Sequence, residues 1–294
     1  MKSGFVALLG RPNVGKSTLL NRLVGTRVAI VSPLPQTTRR RIVGVVHRPD
    51  LQIVFVDTPG FVRPRHALGE VMLERAQAEG READLVLFMV DASCDPTAED
   101  REVAEFLARA GRPTLLVCNK ADLVHPKEYL LPRIQAYNSL GTFEEVFPVS
   151  ALTGDNVEAL VEAVAARLPE GPPYFPEGVI TDLDEQTLIE EIVREKVLMN
   201  ARQEVPHAVA VQVEEMRPGQ DGKTLYVRAT VYVEKEGQKG ILVGKGGRML
   251  KEIGRLAREE LEFRLGRPVF LDLWVKVKKD WRARADWVRA LGYE

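Results

Sequence analysis

The 294-residue sequence predicts an α/β fold, a doubly wound and mostly parallel sheet, over residues 1–170, and a smaller α+β domain over residues 181–294. Three observations predict it. Apolar, strand-like runs alternate with amphipathic stretches up to Leu168, the βαβ rhythm of a parallel sheet. A glycine-rich turn, Gly10 to Ser17, joins the first apolar run to the first helix-like stretch. The segment Gly171-Pro172-Pro173-Tyr174-Phe175-Pro176-Glu177-Gly178 then breaks the pattern, so residues 171–180 read as a proline-stiffened linker.

Each element has its own signal. Phe5 to Leu9 is the first strand and Thr18 to Val24 the first helix. Ile42 to His47 and Leu51 to Val56, joined by the turn Arg48-Pro49-Asp50, predict an antiparallel hairpin inside an otherwise parallel pattern. Asp84 to Val90 is apolar almost throughout, as a strand buried on both faces must be, so Phe88 and Met89 belong to the core. Thr114 to Cys118 and Glu145 to Val149 are further strands. Ala98 to Arg109 and Val157 to Arg167 repeat apolar residues at helical spacing; Gly154-Asp155-Asn156 starts the second and Pro169 ends it. Beyond the linker come a helix from Asp184 to Asn200, strands from Ala208 to Glu215 and Thr224 to Glu234, and helices either side of Gly244. A strand from Val269 to Val277 and a last helix from Asp280 to Leu291 complete the order α-β-β-α-α-β with one helix appended.

The turn Gly10-Arg11-Pro12-Asn13-Val14-Gly15-Lys16-Ser17 has the GxxxxGK[ST] spacing of a phosphate-binding loop, in the strand-to-helix context that loop requires. Gly10 and Gly15 let backbone N–H groups, Val14 among them, converge on the α- and β-phosphates, and the helix that continues through Thr18 presents its positive end. Lys16 reaches the β- and γ-phosphates, and the Ser17 hydroxyl is placed to ligate Mg2+. Asn119-Lys120-Ala121-Asp122, after an apolar strand, makes the site guanine-specific: the Asp122 carboxylate accepts from the guanine N1–H and N2 amine, donors that adenine lacks there. Asn119 braces the loop, the Lys120 stem lies along the purine, and Ser150-Ala151-Leu152 brings the Ala151 N–H near the guanine O6.

Two segments between these sense the γ-phosphate. In Asp57-Thr58-Pro59-Gly60, Asp57 at a strand's carboxyl end holds Mg2+ directly or through water, and the Gly60 N–H meets the γ-phosphate. Ser32 to Arg41, with Pro33, Pro35 and Thr37-Thr38, reads as an irregular loop in which Thr38, in preference to Thr37, completes the metal shell when triphosphate is bound. Contacts made only with the γ-phosphate order both segments, a disorder-to-order switch. Phe61 stands where Ras-like proteins carry a water-orienting Gln, so hydrolysis is slow unless transition-state charge comes from elsewhere. Arg63 and Arg65 are candidate fingers in cis. Asn13 resembles the Asn with which potassium-dependent GTPases of this class hold a monovalent cation, which implies a K+ ion beside the phosphates. The groups expected to act on the phosphoryl group are Lys16, Thr38, Gly60 and Asn13.

Composition excludes other classes. Two cysteines, Cys94 and Cys118, imply no disulfide framework and a reducing compartment. No apolar run approaches the roughly 18 residues of a membrane span, and no cleavable signal precedes the first strand, so a cytoplasmic location is expected. His47, His66, His125 and His207 are scattered without metal-ligand spacing. The net charge of −1 is unevenly spread: from Gly237 onward 14 Lys and Arg stand against 8 Asp and Glu, a net +6, which leaves −7 upstream. That points to a polyanionic partner for the C-terminal quarter.

In that quarter Ile241-Leu242-Val243-Gly244-Lys245-Gly246-Gly247-Arg248 sets a GxxG between two helices, the K-homology (KH) signature that clamps a single-stranded nucleic-acid backbone. Gly244, Gly246 and Gly247 allow close approach, while Lys245, Arg248 and Lys251 add charge. Ile241, Leu242 and Met249 are candidates for the groove wall, with core packing expected for two of the three. The α-β-β-α-α-β order is that of a type II KH domain.

With both halves in view, the chain resembles the Era family of GTPases. GRPNVGKS, the QTTR of Gln36 to Arg39, DTPG, NKAD, SAL, GKGG and the LDLWVKVKKDW of Leu271 to Trp281 carry the resemblance, which spans nearly the whole chain. It implies GTP hydrolysis to GDP, binding to the 3′ region of 16S ribosomal RNA and a role in 30S subunit maturation, by a monomer, with peripheral membrane contact as a further property of the family. Three other readings stand beside it: a KH domain that is the whole function, a membrane-linked signalling GTPase, and a tRNA-modification partner.

Overall fold

The computed structural model describes every residue except Pro33, Pro35, 202–204 and 294. Pro33 and Pro35, named above in the loop Ser32 to Arg41, therefore lie outside the described residues. The chain divides into two compact units, residues 1–65 with 69–182, and residues 183–294 with 66–68.

The first unit is built on a six-stranded sheet of β1 (Lys2–Leu9), β2 (Ile42–Arg48), β3 (Leu51–Asp57), β4 (Leu85–Asp91), β5 (Thr114–Asn119) and β6 (Glu145–Pro148), in the order β2-β3-β1-β4-β5-β6. Only β2 runs antiparallel, closing the expected hairpin with Val43 opposite Val56. All seven residues of β4 are buried between β1 and β5. Helix α1 (Lys16–Val24) lies over β2 at Gly44, where a Cβ would come within 2.5 Å of Leu20. The opposite face buries Ala7, Leu9, Val86, Phe88, Leu116 and Cys118 beneath α2 (Ala67–Glu82), α3 (Ala98–Ala110) and α4 (Leu130–Asn138). A Thr97 capping box starts α3, and α5 (Val157–Arg167) has the predicted bounds.

Helices α2 and α4 were not expected from the sequence. Gly80 weakens the helical signal of α2, and its place there is set by tertiary packing: a Cβ would sit 2.6 Å from Leu9 and 2.9 Å from Phe106. Pro132 does the same in α4, where it falls in the first turn and is tolerated. Residues 171–180, expected as a linker, are bonded to the first unit, which continues to Asp182. Buried Gln52 explains it: its Nε2 donates to the Phe175 carbonyl (2.8 Å) and its Oε1 accepts from Tyr174 N (2.7 Å) and Phe175 N (3.0 Å). Phe175 also covers the apolar patch of Val43, Val45, Val54 and Val56.

The second unit packs α6 (Glu185–Asn200), α7 (Glu236–Val243) and α8 (Arg248–Leu265) with a three-stranded sheet of β7 (Ala210–Pro218), β8 (Leu225–Val233) and β9 (Val269–Val277). β7 is antiparallel and β9 parallel to β8. The core joins Ile189, Val193 and Val197 of α6 to Leu242, Ile253, Ala257, Leu261 and the inward residues of the strands. β7 and the last helix differ most from expectation, β7 running on to Pro218, past the expected Glu215. Val205–Ala208 takes a 3-10 turn, so β7 begins at Ala210. The last helix splits into a turn, Trp281–Ala283, and α9 (Ala285–Ala290), because Trp281 is buried with its indole N–H on the Ala208 carbonyl (2.8 Å) and Arg282 reaches Glu234 (2.6 Å). Among the described residues no helix is long and apolar enough to cross a membrane.

Candidate functional site

Strand β1 delivers the chain into a loop that crosses the end of β4 at Gly10, where a Cβ would lie 2.3 Å from the Met89 carbonyl oxygen. Asn13 (φ 64°) and Gly15 (φ 100°) occupy the left-handed region, and α1 begins at Lys16. The loop and the positive end of α1 border a cavity of about 370 Å³, lined also by Thr18, Thr38, Gly60 and Lys120. Gly60 fits against the loop with no room for a side chain: a Cβ would meet Pro12 at 2.7 Å.

The charges at its floor are displaced from their ordinary behaviour. The buried Lys16 ammonium donates to the Gly10 and Arg11 carbonyls, each at 3.1 Å. Burial pushes its pKa down to about 8, with Asp57 opposing and Arg11 adding to the push. Burial also raises the Asp57 carboxyl, against Lys16 and the hydrogen bonds from Ser17 and Thr38. The Ser17 hydroxyl donates to Asp57 Oδ2 at 2.6 Å, the Thr38 hydroxyl lies 3.2 Å from the same oxygen, and the two hydroxyls are 2.9 Å apart. Asp57 Oδ1 is buried without a hydrogen-bond partner among the described residues. Three converging oxygens with one orphaned carboxylate atom fit a hard divalent cation, while Lys16 fits a polyanion. Thr37 turns instead to the Leu34 carbonyl (2.6 Å).

The base side is held by Asn119, at the end of β5. Its Nδ2 donates to the Val14 carbonyl (2.7 Å) and its Oδ1 accepts from Ala151 N (2.9 Å), so one side chain ties the phosphate loop to the Ser150-Ala151-Leu152 loop. Ala151 N is thus bonded to Asn119 in this structure. Asp122 sits in the turn Ala121–Leu123, Ser150 is buried and Leu152 is exposed. Lys120 reaches Asp91 Oδ2 at 2.6 Å; burial alone would raise the Asp91 carboxyl, but bonds from Lys120 and Ser93 hold it below its usual range.

Several positioning residues escaped the sequence reading. Asp91 was legible in principle as a carboxylate closing an apolar strand. Arg22 donates to the Ala151 (3.3 Å) and Leu152 carbonyls, and Arg11 pairs with Asp100 (3.3 Å), connections no local spacing announces. Phe61 is buried against Phe106, with ring centroids 5.4 Å apart, and its N–H donates to Gly10 O at 3.0 Å. Arg63 pairs with Glu102 at 2.6 Å and Arg65 is exposed; neither lines the cavity.

In the second unit α7 ends at Gly244 (φ 71°, ψ 174°), where a Cβ would meet Met249 at 2.8 Å. Gly246 (φ 62°) and Gly247 (φ 77°) are left-handed with open space beside them. A groove of about 660 Å³ follows, in which Gly247, Arg248 and Lys251 are joined by Arg255 and Arg258 of α8 and by Phe270, Leu271 and Leu273 of β9. Ile241, Gly244, Lys245 and Gly246 belong to the helix end and loop leading into it. Of the three candidate wall residues, Leu242 is core and Met249 packs partly on the core, while Ile241 is 40% exposed. The β9 contribution was missed because strand and helix meet only in the fold.

A GxxxxGKS loop running into α1, a DTPG segment closing β3 beside Thr38, and an NKxD loop on this sheet, with a GxxG domain after it, define a P-loop GTPase carrying a KH domain. The signature of the 50S ribosome-binding GTPase family matches residues 5–120, and that of the KH domain matches residues 204–282. Era in complex with MgGDPNP and nucleotides 1506–1542 of 16S ribosomal RNA is 46% identical, with a TM-score of 0.97 over 100% of this chain and 99% of that one. A point variant of Aquifex aeolicus Era bound to GDP·AlF4− is also 46% identical, with a TM-score of 0.96 over 100% and 99%. The chain belongs to the Era family and is a GTPase.

Proposed function

We propose that this GTPase couples its nucleotide state to holding the 3′ region of 16S ribosomal RNA in the KH groove, and acts in maturation of the 30S subunit. The observation that carries the reading is its full-length likeness to Era bound to both MgGDPNP and that RNA, on a chain that carries a phosphate loop and a GxxG groove of its own. In this reading residues 1–170 form the GTPase domain, 171–180 lead from it while packed along its sheet, and the domain that begins beyond them binds RNA. The protein works as a monomer in the cytoplasm, in keeping with its two free thiols.

The chemistry follows from the site. Lys16, buried and short of counter-charge, is neutralised by the β- and γ-phosphates. Ser17, Thr38 and Asp57 would hold Mg2+, which supplies charge neutralisation across those phosphates. Asn119 keeps the phosphate and base loops in register, so guanine recognition by Asp122 and phosphate capture act on one rigid frame. Phe61, locked in the core, orients no water; Asn13 lines the cavity and would hold K+, which would supply transition-state charge.

The test is the GTPase rate with and without a short 16S 3′ fragment, in potassium and in sodium. RNA and potassium each raise the rate in this reading. Asp122→Ala abolishes a guanine preference on the order of 10⁴-fold, and Gly246→Asp weakens RNA binding while GDP affinity stays. RNA affinity unchanged in Gly246→Asp, or equal turnover in the two salts, would overturn the RNA and cation assignments respectively.

A further inference from the structure

The sheet of the second unit has an aromatic strip that the groove does not account for. On β8 and β9 the residues that alternate with the core positions pair as Tyr226 with Phe270, Arg228 with Asp272 and Thr230 with Trp274. A solvated sheet face is ordinarily polar, yet Phe270 is 58% and Trp274 54% exposed. These rings are also held in place. Tyr226 and Phe270 stack 9° from parallel with centroids 5.6 Å apart, and the Arg217 guanidinium lies 4.2 Å from the Tyr226 centroid. Asp272, between Phe270 and Trp274 on the same face, is pinned by Arg228 at 3.1 Å and reached by the Tyr226 hydroxyl at 3.3 Å.

Two features decide what such a strip takes. Phe270 lines the KH groove as well as stacking on Tyr226, so the strip is continuous with the groove. Its charges are mutually paired: Arg228 with Asp272 and Glu215, Arg217 with Glu215, Lys276 with Glu214. The face therefore offers fixed π-surfaces with little field for phosphate, which suits bases, whereas Arg248 and Lys251 supply the backbone contacts in the groove. Rings fixed before binding lose little entropy when a base stacks on them.

We propose that Phe270 on Tyr226, and Trp274 beyond it, form a stacking platform for unpaired bases of the RNA strand as it leaves the groove. The proposal rests on the RNA reading above. Four residues apart on β9, the two rings are spaced about 13 Å along the strand, within reach of nearby nucleotides on one extended strand.

The experiment uses the full-length protein and two oligonucleotides: one of about four nucleotides, the length a GxxG loop clamps, and the same core extended by unpaired nucleotides at either end. Wild-type protein gains affinity on extension. Trp274→Ala removes about five- to a hundred-fold of that gain, leaves the short oligonucleotide within two-fold, and is rescued by Trp274→Phe; Phe270→Ala weakens both. Extended RNA quenches tryptophan fluorescence in wild type and not in Trp274→Ala. Full retention of the extension gain in Trp274→Ala overturns the platform, including if that variant instead loses a protein partner. Failure of the short oligonucleotide to distinguish wild type from Gly246→Asp overturns the RNA reading itself, and so separates the two failures.

Discussion

Gly15→Ala tests whether the phosphate loop and the guanine loops form one frame. A Cβ at residue 15 would lie 2.2 Å from Asn119 Nδ2, the atom that donates to the Val14 carbonyl at 2.7 Å. The residue also sits at φ 100°, where a side chain costs about 1–2 kcal/mol. Displacing Asn119 orphans the buried Val14 carbonyl and releases Ala151 N, a loss of about 1–3 kcal/mol. Together these give about 2–5 kcal/mol, or a melting temperature lowered by very roughly 5–15 °C for a domain of this size. GDP affinity falls with it, because both loops lose register. Scanning calorimetry reads the first effect and titration calorimetry with MgGDP the second. The decisive control is the double variant Gly15→Ala with Asn119→Ala, in which the collision is relieved and the two losses are strongly non-additive. Additive losses, or a Gly15→Ala protein that melts within 2 °C of wild type and binds GDP within three-fold, would refute the reasoning.

Other outcomes follow from the same geometry. Lys16 has its folded pKa lowered to about 8 from 10.5, so its burial cost to the unliganded fold is present below pH 8 and is relieved as pH rises toward 10.5. Bound phosphates restore the charge; nucleotide affinity is therefore flat below pH 7 and falls up to about ten-fold per unit above pH 8, with proton uptake visible as buffer-dependent binding heat. Phe61→Gln gives no acceleration of GTP hydrolysis, since the side chain points into the core, and lowers stability by about 2–4 kcal/mol in urea melts; a faster enzyme would contradict the placement. Gln52→Ala removes all three bonds to Tyr174 and Phe175 and speeds amide hydrogen exchange over 173–180 by more than ten-fold, against no change at α3.

What was legible in the sequence was what contiguous residues encode. The β2–β3 hairpin, the bounds of α5 and β9, and the backbone glycines of both loops follow from local pattern and local conformational need. Helix α2 was not legible, because Gly80 answers to the distance between α2, Leu9 and Phe106 and not to helix propensity. The last helix was read as continuous because Asp280 to Leu291 is polar and helix-permissive, whereas burial of Trp281 breaks it.

The sequence by itself determined which candidate groups for a phosphate, a guanine and a nucleic-acid backbone lie together, since each set is carried on a short segment, with glycines shaping the first and the last. Only the tertiary structure decided how those groups act together. Ser17 meets Asp57 across 40 residues, Asn119 meets Val14 across 105, Gln52 meets Phe175 across 123, and Phe270 meets Tyr226 only through strand pairing. Such contacts depend on sheet order and helix docking, which many residues specify jointly and no local spacing records.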